Sequence, residues 1–259
     1  MGGAPRVLVL GATGRLCRAL RLVWDGSEVE PIWQGRGTPQ DWAGAARGAV
    51  AVVGLAGVTR AADPAAFDEN PRLAGLAAQV AQALGARLFL ISSAAVYGDA
   101  PGPQHEDGPA VPVSDYGRSK LAAEGAGGVA LRLGNVAGAD LLGRAMARGP
   151  VVLDVFADGR GPRRSYIGPV SFARVLAGLI RHPGPLPRVL NVAAPGVVAM
   201  DALLDAAGHL WTGRPAPATA RARLEMDVAR LSALGLAPPP ADPVAMMAEV
   251  ADLTARGWA

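Results

Sequence analysis

Arg6-Val7-Leu8-Val9-Leu10-Gly11-Ala12-Thr13-Gly14-Arg15-Leu16-Cys17 is the stretch on which the fold turns. Residues 6–10 are an apolar run of strand length, Gly11 to Gly14 make a glycine turn, and Arg18-Ala19-Leu20-Arg21-Leu22-Val23-Trp24 reads as a helix. A strand, a glycine turn and a helix start in this order open a dinucleotide-binding unit. The glycines permit the tight turn and the close approach of backbone to a pyrophosphate. The first helical amides then meet that negative charge at the positive end of the helix.

The same rhythm continues outward. Residues 14–24 read as the first helix, 29–33 as a second strand and 49–54 as a third; 64–84 read as a long helix and 87–91 as a fourth strand; 115–125 read as a helix and 129–133 as a fifth strand. Strands alternating with helices predict an α/β protein with a doubly wound parallel sheet. The proline- and glycine-rich segment 99–114 reads as a solvent-facing flap. Beyond residue 138 the pattern blurs: 139–148, 170–181 and 199–210 look helical, while 212–220 and 236–243 look like loops.

A second pair of motifs carries chemistry. Ser92-Ser93-Ala94-Ala95-Val96-Tyr97-Gly98 follows the fourth strand, and Tyr116-Gly117-Arg118-Ser119-Lys120 begins the helix after it. Tyr116 and Lys120 stand four apart and share a helix face. An ammonium beside a phenol stabilises the phenolate and is expected to lower the phenol's pKa, which suits proton transfer near neutral pH. A serine hydroxyl at a neighbouring strand end completes a Ser–Tyr–Lys set for moving a proton on or off a carbinol oxygen.

With these residues in view, the chain resembles the extended short-chain dehydrogenase/reductase superfamily, in particular the NAD-dependent epimerase/dehydratase family, over residues 6–200. The resemblance rests on GATGRLC, LFLISSAAVYG, EDGPAVPVSDYGRSKLAAE, ALRLGNVAG and RRSYIGPVSFA, in that order. It implies a single NAD(P)-binding Rossmann domain over residues 1–259, with residues 139–259 contributing a small substrate lobe. It also implies catalytic roles for Ser93, Tyr116 and Lys120: Tyr116 exchanges a proton with the substrate oxygen, Lys120 lowers the Tyr116 pKa and binds the nicotinamide ribose, and Ser93 hydrogen-bonds the reacting oxygen.

By the same resemblance Gly11, Thr13 and Gly14, with the backbone N–H groups of Arg15 and Leu16, face the cofactor pyrophosphate. Cys17 stands at the third glycine of the pattern, a position needing a small residue for helix–strand packing; packing is the reading preferred there over a thiol activated by the helix start. Asp41, followed by Trp42, resembles the acidic–apolar pair near the adenine. Leu55-Ala56-Gly57 resembles the segment beside the cofactor, and Asn70 an asparagine of the following helix.

At the end of the second strand an acidic residue would favour NAD. The chain instead reads Pro31-Ile32-Trp33-Gln34-Gly35-Arg36, and the Arg36 guanidinium suits a 2′-phosphate. The cofactor expectation is therefore NAD(P), leaning to NADP, with a solvated loop charge as the alternative for Arg36.

The positions where the family's dehydratases carry an Asp-Glu pair are Ala94 and Ala95. The implied reaction is thus an epimerisation or a carbonyl reduction, on a nucleotide sugar or another small carbonyl or hydroxyl compound. Asn135 and Arg164 resemble residues meeting the diphosphate and nucleotide phosphate. The usual His and Asp of the Arg164 segment are Gly168-Pro169 and Ser171, a departure that counts, with the short chain, against a nucleotide sugar.

Composition sets the remaining bounds. No window of membrane-spanning length is free of Gly, Pro and charge, and the start MGGAPRVLVLGATG lacks a signal peptide's pattern. The single cysteine excludes an internal disulfide and fits a reducing cytoplasm. A net charge of +3 and 5% aromatic residues give no basic stripe for nucleic acid. His105, His182 and His209 lack metal-ligand spacing, so no metal site is expected. A homodimer is compatible with the family. The alternative to an enzyme is a catalytically weak NAD(P)-binding sensor or interaction module of the same fold.

Overall fold

The computed structural model describes residues 3–24, 28–99 and 101–258, so Met1 and Gly2 of the start read above, and Ala100 of the 99–114 segment, lie outside the described residues. The chain begins β1 (Arg6–Leu10), α1 (Arg15–Val23), β2 (Glu30–Gln34), α2 (Pro39–Ala45), β3 (Ala51–Gly54), a 3₁₀ turn (Pro64–Asp68), α3 (Glu69–Leu84) and β4 (Arg87–Ser93). It continues β5 (Pro103–Gln104), α4 (Asp115–Glu124), β6 (Val129–Leu133), β7 (Asn135–Val136), α5 (Leu141–Met146), β8 (Val151–Val155), β9 (Arg163–Arg164), β10 (Tyr166–Ile167) and α6 (Pro169–Arg181). It closes with β11 (Val189–Val192), β12 (Val198–Ala199), α7 (Met200–Ala206), β13 (Trp211–Pro215), β14 (Arg223–Met226), α8 (Ala229–Ala233) and α9 (Pro243–Ala255).

The main sheet has the order β11-β6-β4-β3-β1-β2, and every neighbouring pair is parallel. From β1 the chain goes outward to β2 and then crosses back to β3 on the other side. This reversal opens a crevice at the carboxyl ends of β1 and β3, the place where such sheets bind ligands. Both faces are covered, which is why the strands read as unbroken apolar runs. Val7 and Val9 pack with Leu20, Phe89, Leu131, Phe172 and Leu176 on one face; Leu8 and Leu10 pack with Trp42, Val52, Ala77, Val80 and Leu90 on the other. Each such buried side chain contributes about 1.5–3 kcal/mol relative to exposure.

The sequence reading of the sheet holds through the fifth strand, with shifted ends. Two shifts matter: β4 runs on to Ser93, so both serines stand at its end, and the first turn of the long helix is a separate 3₁₀ turn begun by Pro64. The sixth strand, β11, is hidden in the sequence because it is short and lies between Pro183, Pro185, Pro187 and Pro195. Residues 212–220 are not simply a loop, since β13 pairs in parallel with β8.

The 99–114 segment faces solvent over most of its described length, as read, but it is pinned at its middle: β5 pairs with β14, Gln104 and Glu106 are buried, and Asn191 of β11 donates from its backbone N to Glu106 Oε1 (2.9 Å) and from Nδ2 to the Gln104 carbonyl (2.8 Å). Pairing with strands more than a hundred residues away cannot be seen in local composition.

The C-terminal elements tie back to the sheet. Trp258 is buried and its Nε1 donates to the Arg15 carbonyl (3.0 Å) at the start of α1. Glu249 of α9 caps α6, accepting from the backbone N of Val170 (2.8 Å) and Ser171 (3.0 Å) and from the Ser171 hydroxyl. The carboxylate fits because residue 168 has no side chain: a Cβ there would overlap it. The Gly168-Pro169 and Ser171 departures thus have a structural cause, a helix cap delivered from a distant helix. Glu249→Ala is expected to lower stability by about 1–2 kcal/mol through loss of this cap, read as a drop in denaturation midpoint; an unchanged midpoint would show that the cap contributes nothing.

Candidate active site

Gly11 is held in the left-handed region at φ 109°, where its N donates to the Gln34 carbonyl (3.0 Å) at the end of β2. A Cβ at Gly11 would lie 2.7 Å from the Ala56 backbone N, so only glycine lets the β1 and β3 loops approach this closely. The Leu55 and Ala56 N–H groups both donate to the Leu10 carbonyl (3.0 Å). Between these loops opens a cavity of about 630 Å³. Gly11, Thr13, Gly14, Arg36, Leu55, Ala56, Gly57, Asn70 and Lys120 all line it. Arg15 and Leu16 occupy the first turn of α1, which contains no acidic residue to oppose an anion.

Asn70 is buried and braces the cavity wall. Its Oδ1 accepts from Val58 N (2.7 Å), and its Nδ2 donates to the Val58 carbonyl (3.0 Å) and to Ser119 Oγ (2.8 Å) of α4. A Cβ at Gly57 would meet Asn70 Oδ1 at 2.7 Å and Lys120 Nζ at 3.3 Å. The wall is therefore cut close, leaving backbone exposed to a ligand where a side chain would intrude.

Among the described residues the carboxylate lining the cavity is Glu69 of α3, paired with Arg72. Gln34 ends β2, and Arg36 lines the opening without a hydrogen bond or ion pair among the described residues. Asp41 stands apart from the lining: its carboxylate accepts from Thr38 N (3.1 Å) and Thr38 Oγ1 (2.8 Å) in a capping box that starts α2. Thr38 and Asp41 have the spacing of such a box, a signal present in the sequence. Trp42 takes the cavity position instead, buried, with its Nε1 unpartnered among the described residues. Cys17 is fully buried in the sheet core and burial raises its thiol pKa, in keeping with the packing role.

Ser93, Tyr116 and Lys120 come together where α4 crosses the end of β4. Ser114 caps the helix, accepting from Gly117 N (3.1 Å), and this fixes the turn that carries Tyr116. Tyr116 is half-buried and close enough to Ser93 for that hydroxyl to draw its pKa down; Ser93 Oγ itself accepts from Ala95 N (3.2 Å). Lys120 is buried, its Nζ donating to the Ile91 carbonyl (2.8 Å) and lying 6.0 Å from the Tyr116 ring centre.

The expected lowering of the Tyr116 pKa by Lys120 is corrected here. Burial pushes the phenol up, and the Ser93 hydroxyl draws it down only in part. Desolvation meanwhile lowers Lys120 from 10.5 to about 8. Spacing puts the two groups on one face, but burial, not spacing, sets their protonation.

The substrate candidates lie on the C-terminal side. Asn135 Nδ2 donates to Asp140 Oδ2 (3.1 Å), which also accepts from the Tyr166 hydroxyl (2.7 Å); Asn135 is thus joined to a half-buried acid that sequence reading passed over. Arg164 Nη2 donates to the Arg221 carbonyl (2.8 Å), and Nη1 to the Arg163 carbonyl (2.7 Å). Burial and the neighbouring Arg221 charge both lower the Arg164 pKa. Arg221, whose guanidinium lies 3.6 Å from Asp99, was not legible in the sequence. It sits in the loop before β14, brought beside Arg164 by β9–β14 pairing. A second cavity, about 740 Å³, is lined by Phe156, Arg214, Pro215 and Pro217 and also by Ala222, whose carbonyl accepts from Arg164 (3.4 Å). Among the described residues no cluster could hold a metal ion, and no helix is long and apolar enough to cross a membrane.

Comparison with known proteins agrees with this geometry. Residues 45–142 match the NAD dependent epimerase/dehydratase family. No curated protein matches the chain. Among solved structures, MoeE5 in complex with UDP-glucose and NAD is 21% identical, over 98% of this chain and 100% of that chain, with a TM-score of 0.78. UDP-glucuronic acid 4-epimerase from Bacillus cereus, in complex with UDP-glucuronic acid and NAD, is 16% identical over 97% and 99%, TM-score 0.77. UDP-N-acetylglucosamine 4-epimerase from Methanobrevibacter ruminantium M1, in complex with UDP-N-acetylmuramic acid, is 16% identical over 98% and 99%, TM-score 0.78. The match over residues 45–142 bears out, for that stretch, the resemblance to the NAD-dependent epimerase/dehydratase family read from the sequence, and the fold is the one these solved structures share.

Proposed function

We propose that this protein is an NAD(P)-dependent epimerase or reductase that moves a hydride and a proton at a hydroxyl or carbonyl carbon of a nucleotide sugar. One observation carries the reading: a half-buried Tyr116 phenol beside the end of β4, one helical turn from a buried Lys120 whose Nζ lies 6.0 Å from its ring and which lines the same cavity as the Gly11–Gly14 loop. Ala94 and Ala95, which follow Ser93 directly, offer no carboxylate for a dehydration. The single buried Cys17 suits a cytoplasmic setting.

The residues present fit a nicotinamide dinucleotide. The close-cut wall at Gly11 and Gly57 leaves room for one, Gly11, Thr13 and Gly14 with the Arg15 and Leu16 N–H groups would hold the pyrophosphate, and Lys120 the nicotinamide ribose. When bound, that group supplies the hydride donor or acceptor. Tyr116 gives or takes the proton at the substrate oxygen. Ser93 Oγ donates to the same oxygen and fixes its position. The Lys120 charge favours the phenolate at the moment it forms. Arg164 and Arg221 are two partly buried cations beside the second cavity, with the Asp99 carboxylate 3.6 Å from Arg221; the two positive charges suit a substrate diphosphate, with its nucleoside toward Phe156 and Pro215.

On the cofactor, Arg36 without an acidic neighbour supports NADP. Calorimetric titration with NAD+, NADH, NADP+ and NADPH is expected to favour the phosphorylated pair. Arg36→Ala is expected to weaken NADPH binding about tenfold, the worth of one exposed charged contact, with NADH affinity unchanged. Tighter binding of NADH than of NADPH would overturn the NADP assignment. Incubation of the loaded protein with UDP-glucose, UDP-galactose and UDP-glucuronic acid then tests the reaction. Binding without conversion of any sugar nucleotide or simple carbonyl would favour the sensor alternative.

A further inference from the structure

Beneath the proposed catalytic set lies a buried ion pair with no direct access to substrate. Glu124 ends α4, and with Tyr116 and Lys120 it forms a stripe at four-residue spacing along one helix face. Its carboxylate accepts from Ser92 Oγ (2.6 Å), from Arg132 Nε (3.0 Å) and from Arg132 Nη2 (2.8 Å). The side chains of Glu124 and Arg132 are only 10% and 6% exposed. Ser92 and Arg132 are register partners on β4 and β6, so both reach the helix from the same sheet face. The Arg132 guanidinium also lies 4.8 Å above the Tyr97 ring.

Two consecutive residues at the end of β4 therefore each hold a different turn of α4: the Ile91 carbonyl takes Lys120, and Ser92 takes Glu124; the next residue, Ser93, faces Tyr116. The tie at Glu124 is reinforced by the charged Arg132 of β6, which makes it the strong end of the stripe. A bidentate carboxylate–guanidinium pair fixes direction as well as distance. Sliding the helix along the strand would break it before it broke the single bond at Lys120.

We propose that Glu124, Arg132 and Ser92 are positioning residues that set the height of α4 on β4 and thereby hold the Tyr116 hydroxyl against Ser93. The inference rests on the reading of Tyr116 as the proton-transfer group, but its test does not need turnover. The chain has three tyrosines, and Tyr97 and Tyr166 are fully buried, each with its pKa raised by burial. Burial raises the Tyr116 pKa as well, so its own transition is read as the difference between the wild-type and Tyr116→Phe titrations. Tyr116 is faced by Ser93, by Lys120 and by the Phe67 ring at 6.2 Å. Asp115 and Arg118 on its own helix pair with each other at the surface.

The experiment is an alkaline titration of tyrosinate absorbance over the range in which native circular dichroism persists, with the Tyr116 transition taken as the difference from the same titration of Tyr116→Phe. Ser93→Ala removes the hydroxyl that draws the Tyr116 pKa down, so its midpoint should rise. Glu124→Gln should raise the midpoint in the same direction, and the double variant should move no further than Ser93→Ala alone, because both act through the Ser93 hydroxyl. A midpoint that stays put in Glu124→Gln while the melting temperature falls would make the network merely structural and overturn the proposal; so would an additive double variant, or no movement in Ser93→Ala.

Removing one partner of a buried pair can prevent folding. Glu124→Gln/Arg132→Gln, which removes both charges, and Ser92→Ala, which removes one hydroxyl, then carry the same comparison. Absence of turnover in the wild type with a Glu124-dependent midpoint would defeat the proposed reaction and leave this inference standing. Turnover lost in Tyr116→Phe with an immobile midpoint would do the reverse.

Discussion

Tyr116→Phe is expected to lower kcat by about 10²–10⁴-fold, the usual worth of a positioned general acid or base, while leaving nicotinamide dinucleotide affinity nearly unchanged. The substitution deletes one oxygen and keeps the ring, so the packing against Phe67 stays. Lys120 is also left in place, because its Nζ is held by the Ile91 carbonyl and not by the phenol. The variant therefore separates chemistry from binding. Measured with saturating cofactor, a loss in kcat without a matching change in cofactor affinity assigns the proton to Tyr116. Activity within a few-fold of wild type would move the proton-transfer role elsewhere, and Ser93 is the neighbouring hydroxyl to test next.

The second large effect is on stability and has the opposite sign. Lys120 is buried with a pKa of about 8 against 10.5 for the free side chain. A lysine lowered in the folded state is one whose charge the fold disfavours. Below pH 8 both folded and unfolded chains hold the proton and the full cost is present. Between about 8 and 10.5 the unfolded chain binds more protons than the folded one, so stability rises with pH and the cost disappears. The shift corresponds to about 3 kcal/mol at roughly 1.4 kcal/mol per unit. Lys120→Met also strips a donor from the Ile91 carbonyl, at about 1 kcal/mol.

Lys120→Met is accordingly expected to stabilise the cofactor-free protein by about 2 kcal/mol at pH 7, the balance of those two effects, and to lose that advantage as the pH approaches 10.5. Denaturant unfolding at the two ends of the range reads the difference directly. A variant no more stable than wild type at pH 7 would mean that Lys120 is as well solvated in the fold as outside it. The same variant should bind the cofactor more weakly, the familiar exchange of stability for function at a site.

How far the sequence led can be seen at particular residues. Gly11, Gly14, Ser93, Tyr116 and Lys120 sit in motifs where spacing along one element fixes neighbours in space, and the structure brings Ser93, Tyr116 and Lys120 together as that spacing implies. Asn70 was legible as a cavity residue, but its three hydrogen bonds to Val58 and Ser119 were not. Asp41 illustrates a conflict between two local signals: its place in the segment suggested the adenine, while Thr38 three residues earlier marks a helix cap, and the cap is what forms.

Glu249, Arg221 and Asp140 stayed hidden for a different reason. Each acts on a partner brought near by tertiary pairing, across 78, 57 and 26 positions for Ser171, Arg164 and Tyr166, and nothing within one helix or strand announces such a meeting. The protonation of Tyr116 was likewise out of reach, because it depends on how deeply the phenol is buried.

The bond from Trp258 to the Arg15 carbonyl joins positions 243 residues apart. The glycine loop, which in sequence looks like a self-contained cassette, thus leans on the far end of the polypeptide. Arg15 also reaches the Gly138 carbonyl (3.2 Å), so the loop is buttressed from two later segments at once. The first strand–turn–helix is for that reason not a portable part. Grafted or cut free of the rest, it would keep its motif and lose the supports that hold its backbone amides in line, and grip on the dinucleotide belongs to the entire chain.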